Sequence, residues 1–161
     1  MDRLDRARLQ AELYGQLMWI DQVDQRLRQR VAAGLDTPAQ LESIAYQIHN
    51  LYCAVEDLLK LVATTFENHI GNGGQWHRVL LLRLSQPVPD VRPAFLSAPT
   101  LQLLNPLRSF RHFVRHAYNS EIEITQLQVN LDLALSVRAQ ISQDIANFLE
   151  NLAPIDLHDT P

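Results

Sequence analysis

At 161 residues the chain has room for one domain of ordinary size, and an apolar share of 47% against 20% charged residues argues against intrinsic disorder. A lone cysteine, Cys53, excludes an internal disulfide and any cysteine-rich zinc site, and the apolar run Val79 to Leu82 falls far short of a membrane span. The net charge of −4 is the wrong sign for a simple nucleic-acid binder, yet between Asn68 and Ser120 six arginines face one acid, Asp90, so this stretch carries +5 and the rest −9.

The chain opens on Met1-Asp2-Arg3-Leu4-Asp5-Arg6, charged from the start and without the apolar stretch of a secretory signal, so a cytoplasmic protein is expected. Leu9, Leu13, Leu17, Ile20, Leu27 and Val31 recur at helical spacing and predict a first helix, closed by Gly34 and the Asp36-Thr37-Pro38 turn. Pro38 suits the first position of a second helix. There Leu41, Ile44, Ile48, Leu51, Val55, Leu58, Val62 and Phe66 alternate by threes and fours. Ile70 to Gly74 breaks that pattern, and a short third helix is expected from Gln75 to about Ser85. Pro87, Pro89, Pro93 and Pro99 make the next segment an irregular connection. Asn105-Pro106 reads as cap and first position of a fourth helix ending near Tyr118-Asn119, although Thr100 to Leu104 could already be helical. Ser120 and Glu123 form a capping-box signature for a last helix striped by Ile124, Leu127, Leu131, Ala134, Ile141, Ile145, Phe148 and Leu152. No segment has the period of a strand. The expectation is all-α: an up-and-down bundle of four to five helices with no sheet. Residues 1–161 would form a single domain with a flexible tail at 153–161, and Ile48, Leu51, Val55, Leu58, Ile141 and Ile145 would lie in the core.

The fourth helix carries the chemistry. At about 100° per residue with Arg111 at zero, Leu107, Phe110, Phe113, Val114 and Ala117 fall between about −40° and −160°, a core-facing arc. Tyr118, Arg115, Arg108, His112 and His116 fall between about −20° and +140°. With Arg111 they make a polar arc free of carboxylates, where a solvated face would mix signs. Arginine offers phosphate a planar, permanently charged fork, and histidine moves protons near neutral pH. The arc predicts an anion site.

Arg111-His112-Phe113-Val114-Arg115-His116-Ala117-Tyr118 matches the pattern Arg, four residues, His, one residue, Tyr. It resembles the signature of HepT-type toxins in the HEPN ribonuclease superfamily. His112 fills the polar place that follows the arginine in the wider pattern, while Ala117 stands where many relatives carry a polar residue. An all-helical chain of this size, with the motif near the end of its penultimate helix, is similar to the family along most of its length. The second helix, with Tyr52, Glu56 and Lys60, looks similar too, without pointing to a role for them.

The resemblance implies a metal-independent endoribonuclease toxin that needs no cofactor, forms a homodimer and is paired with a minimal nucleotidyltransferase antitoxin. Arg111, His112 and His116 are then the catalytic residues. His116 would act as general base or acid and Arg111 would stabilise the charge of the transition state. His112 would position phosphate or carry a second proton, and Arg108 and Arg115 would hold flanking phosphates of the RNA substrate. Tyr118 is the implied site of adenylylation by the antitoxin. Arg111 and His116 lie about 140° apart on a straight helix, so meeting at one phosphate calls for local unwinding or a second subunit.

Plainer roles compete with these. Arg111 could be a surface helix arginine, and Tyr118 could simply close the helix end. Trp19 and Trp76 read as packing residues rather than base-stacking platforms. His112 and His116 have the i, i+4 spacing of some zinc sites, but with His49, His69 and His77 scattered they lack further ligands, and no metal is expected. Gly71 to Gly74 lacks the Lys-Ser/Thr of a phosphate loop. The rival to an enzyme is a catalytically inactive HEPN-like module that binds nucleotide or RNA, or docks a nucleotidyltransferase. The intact motif and its carboxylate-free face favour the enzyme.

Overall fold

The structure, a computed structural model, describes residues 1–67, 75–117 and 120–152. Five helices follow in chain order: α1 (Arg3–Ala32), α2 (Pro38–Glu67), α3 (Trp76–Leu84), α4 (Ala98–His116) and α5 (Ile124–Asn151). Among the described residues there is no strand, only an isolated bridge between Val88 and Arg92. The fold is the all-α bundle that the apolar periodicities predict. No helix among the described residues is long and apolar enough to cross a membrane.

Local chemistry sets the first two helices. Asp2 caps α1 by accepting the Asp5 N–H at 2.7 Å, which satisfies one of the orphan donors of the first turn. The turn into α2 is fixed by Gln40, whose side chain accepts from the backbone of Asp36 and Thr37 and donates to the Ala33 carbonyl. Gly34 sits at φ +114°, a conformation that strains any residue with a β-carbon. α2 then touches every other helix. Its stripe is accordingly wide, with Ile44, Ile48, Leu51, Tyr52, Val55, Leu58, Leu59 and Val62 all buried. Ile141 and Ile145 of α5 complete the expected core. α1 is tied to α5 through Arg138 and Asp21 and through Arg6, which donates to the Leu149 carbonyl.

Three local expectations are corrected. α4 starts at Ala98, capped by Ser97, so Asn105-Pro106 is not its beginning and Pro106 lies inside the helix. Pro106 has no N–H to give the carbonyl of Gln102 one turn earlier, and Gln102 is exposed, where losing a helix bond costs least. Burial of Thr100, Leu104, Leu107 and Phe110 along one stripe keeps the helix continuous across it. The Ser120/Glu123 capping box does not form: Glu123 is the N-cap of α5 and makes no side-chain cap bond. Trp19 is not a packing residue, being 60% exposed on α1. Trp76 does pack against the core. Gly71 to Gly74, His69, Tyr118 and the 153–161 tail lie outside the described residues.

The proline-rich connection is held by an ion cluster that its composition hides. Arg92 has a fully buried side chain, and it donates to Glu67 Oε1 from Nε at 2.9 Å and from Nη2 at 2.5 Å. It also donates to the carbonyls of Arg83, Gln86 and Pro93. Arg83 pairs with the other oxygen of Glu67. Two of the six arginines in the basic stretch therefore serve the fold.

Candidate active site

α4 is helical through His116 and presents the polar arc much as its spacing predicts. His112, Arg115 and His116 are exposed, and Arg108 and Arg111 are half-buried. The rings of His112 and His116 lie 4.6 Å apart, one turn from each other on the same face. All five residues border one cleft of about 540 Å³, closed on the opposite side by Gln75, His77 and Arg78 at the start of α3. Arg111 and His116 thus share a cleft within one protomer. The rim carries four arginines and three histidines and no carboxylate.

Behind the rim lies the residue that the sequence did not single out for a role. Glu56 of α2 is 3% exposed, and its two oxygens face different partners. Oε2 lies 2.5 Å from His77 Nδ1, while Oε1 lies 3.9 Å from both Arg111 Nη2 and Lys60 Nζ. A buried carboxylate is tolerable only with such compensation. Its spacing carried a signal: Tyr52, Glu56, Leu59 and Ala63 share one face of α2, and an acid on an apolar stripe must find a cation. Arg111 is consequently no free surface arginine. Its side chain is 14% exposed, and Nε donates to Cys53 Sγ at 3.5 Å. Burial works against its charge, but the Cys53 bond and Glu56 outweigh burial and hold the guanidinium above its already high ordinary pKa.

Cys53 in turn meets His49 Nε2 at 3.7 Å. Burial first, then the charges of Arg111 and Arg115, push His49 below the ordinary imidazole value, against the opposing pull of Glu56. His49, Tyr46, Arg111 and Arg115 border a second, smaller cleft of about 470 Å³ on the other flank of Arg111. Tyr52 is buried, with burial and then Glu56 raising its phenol pKa, and its hydroxyl has no hydrogen-bond partner among the described residues. Arg108, which borders the cleft, likewise has a buried Nε without a hydrogen-bond partner among the described residues. Among the described residues no three His, Cys, Asp or Glu side chains gather as a metal site would need. Tyr118, one residue past the α4 C-cap Ala117, lies outside the described residues.

A comparison with curated proteins gave no match, and a comparison with solved structures gave none either. A family model described as HepT-like protein matches residues 43–152. That span runs from the first turns of α2 to the end of α5, and it contains the cleft, the buried Glu56 and the whole Arg111 to Tyr118 motif. The chain belongs to the HepT-like family of the HEPN superfamily.

Proposed function

We propose that this protein is a metal-independent endoribonuclease toxin held in check by a minimal nucleotidyltransferase antitoxin. One observation carries the reading: a single cleft rimmed by Arg78, Arg108, Arg111, Arg115 and three histidines without a carboxylate. Such a rim attracts a polyanion and repels nothing on it. RNA brings its own nucleophile, the 2′-hydroxyl, so the protein need only orient the backbone, move protons and stabilise the charged phosphorane. Arg111, fixed by Cys53 and Glu56, is preorganised to take the developing charge, usually the dominant electrostatic term. His116 acts as the general base on the 2′-hydroxyl. His112, whose ring lies against His116, positions the phosphate, and Arg108 and Arg115 hold the flanking phosphates. The reading takes residues 1–161 as one unit, because α1 is tied to α5 by Arg138 and Asp21. A homodimer is included on the strength of the family resemblance.

Purified protein, with chelator present, is expected to cut single-stranded or loop RNA and to leave a 2′,3′-cyclic phosphate or 3′-phosphate end, detected by end-labelling and mass spectrometry. Protein that binds RNA yet never cuts it, alone or in cells, is instead an inactive binding module. The antitoxin half of the proposal rests on Tyr118. AMP attached there would bring a negative phosphate that competes with an RNA phosphate for Arg108, Arg111 and Arg115. Co-expression with the partner should add AMP to Tyr118, seen by intact mass, and Tyr118→Phe should escape both the mass shift and the inhibition. An unmodified Tyr118 with cleavage still suppressed would replace this mechanism with steric capping.

A further inference from the structure

The cleft has a third histidine, and it comes from a different helix. His77 sits in the first turn of α3, across the cleft from α4, with its side chain 21% exposed. Its Nδ1 is held by Glu56 Oε2 at 2.5 Å, and its ring is backed by Trp76, with 3.7 Å between ring centroids. Lys60 lies over the far ring of that pair, 4.7 Å from the Trp76 centroid, and reaches toward Glu56 as well. The imidazole is therefore fixed in tautomer, tilt and position by groups that are themselves fixed. With Nδ1 occupied, Nε2 is the ring nitrogen left for the cleft.

A carboxylate behind one ring nitrogen and an open site before the other is the arrangement that orients a histidine for proton transfer and compensates the charge it carries when protonated. The rest of the rim supplies a complement. Cutting RNA by 2′-hydroxyl attack needs two proton transfers at different oxygens, and the α4 histidines stand on one wall of the cleft only. We infer that His77 is the general acid of the cleavage reaction, oriented by Glu56 and acting opposite His116. This rests on the nuclease reading above.

The step balances without any further reactant. His116 takes the 2′-hydroxyl proton as the 2′-oxygen forms its bond to phosphorus. The bond from phosphorus to the 5′-oxygen breaks, and that oxygen receives the proton from His77 Nε2. The products are a 2′,3′-cyclic phosphate and a 5′-hydroxyl, and the two histidines exchange protonation states. Arg111, anchored to the same Glu56 and bordering the same cleft, takes the charge of the phosphorane.

The test is a leaving-group substitution. An oligoribonucleotide that the parent protein cuts is compared with the same oligonucleotide carrying sulfur in place of the 5′-bridging oxygen at the cut linkage, because a thiolate departs without being protonated. His77→Asn keeps an amide where Nδ1 meets Glu56 but cannot transfer a proton, and His77→Gln is the second variant should the first fail to fold. Both are checked by circular dichroism. The expected result is a loss of about a hundredfold or more on the oxygen substrate and near-parental cutting of the sulfur substrate. Equal loss on both substrates would make His77 a structural residue and overturn the assignment. Parental rates on both would overturn it as well, while leaving the nuclease reading intact. If the parent itself cuts neither substrate nor any other RNA, the nuclease reading fails and takes the assignment with it.

Discussion

Arg111→Ala should abolish RNA cutting and also weaken the fold, whereas His116→Ala should abolish cutting alone. The contrast follows from where each side chain ends. His116 is exposed at the last turn of α4, so its removal exposes no buried group and the melting temperature should not move. Arg111 reaches inward to Cys53 and to the buried carboxylate of Glu56. Without it Glu56 keeps His77 and Lys60 but loses an ion-pair partner 3.9 Å away, so the buried carboxylate is less well compensated and the melting temperature should fall. Both variants should lose about a hundredfold or more in rate, the usual effect of removing a charge-stabilising or proton-transfer group. Arg111→Lys separates the two roles. A lysine restores the positive charge near Glu56 and with it the melting temperature, but it lacks the planar fork and should not restore cutting. Thermal melts beside cleavage rates measured at 20–25 °C, where every variant is folded, decide it. Equal cutting by parent and Arg111→Ala would mark any observed nuclease as a contaminant.

The fold was legible because helices advertise themselves within a single segment. A stripe such as Ile44, Ile48, Leu51, Val55, Leu58 and Val62 needs no knowledge of its neighbours, and every member is buried. The same holds for the α4 arc, whose five described polar residues border one cleft. What spacing within a helix could not give is the pairing between helices. Glu56 and His77 are 21 residues apart and meet only because α2 packs against α3. His77 had no companion nearby in the sequence and so read as scattered. The start of α4 is less legible for a different reason. Pro106 obeys a strong local preference for the first turn, but burial of Leu104 and Leu107 on either side overrides it. Ser120 and Glu123 likewise had the right letters, yet the chain enters α5 three residues later than a cap at Ser120 requires.

The charge asymmetry of residues 68–120 divides into two parts, and Arg92→Ala should separate them. Arg92 is as far from a solvated cation as an arginine can be: its side chain is wholly buried and its donors serve Glu67 and three backbone carbonyls. Alanine leaves those carbonyls without their donor and Glu67 with Arg83 alone. Breaking a buried pair from one side costs about 3–5 kcal/mol. In a chain of this size each kcal/mol lowers the melting temperature by about 2–4 °C, so a fall of roughly 6–20 °C is expected. Arg92→Met fills the same space without donors and should melt nearly as low, which assigns the loss to hydrogen bonding rather than to a cavity. Glu67→Gln should be comparably damaging, since it buries the Arg92 charge without its anion. RNA affinity should behave in the opposite way. Arg92 is not on the cleft, so its variants should bind RNA at low temperature with the parental salt dependence. Arg115→Ala, on the exposed rim, should leave the melting temperature unchanged and reduce the salt slope by about one phosphate contact. A parental melting temperature for Arg92→Ala, together with weakened RNA binding, would place Arg92 on the nucleic-acid surface and refute its role as the buried tie of the proline-rich connection.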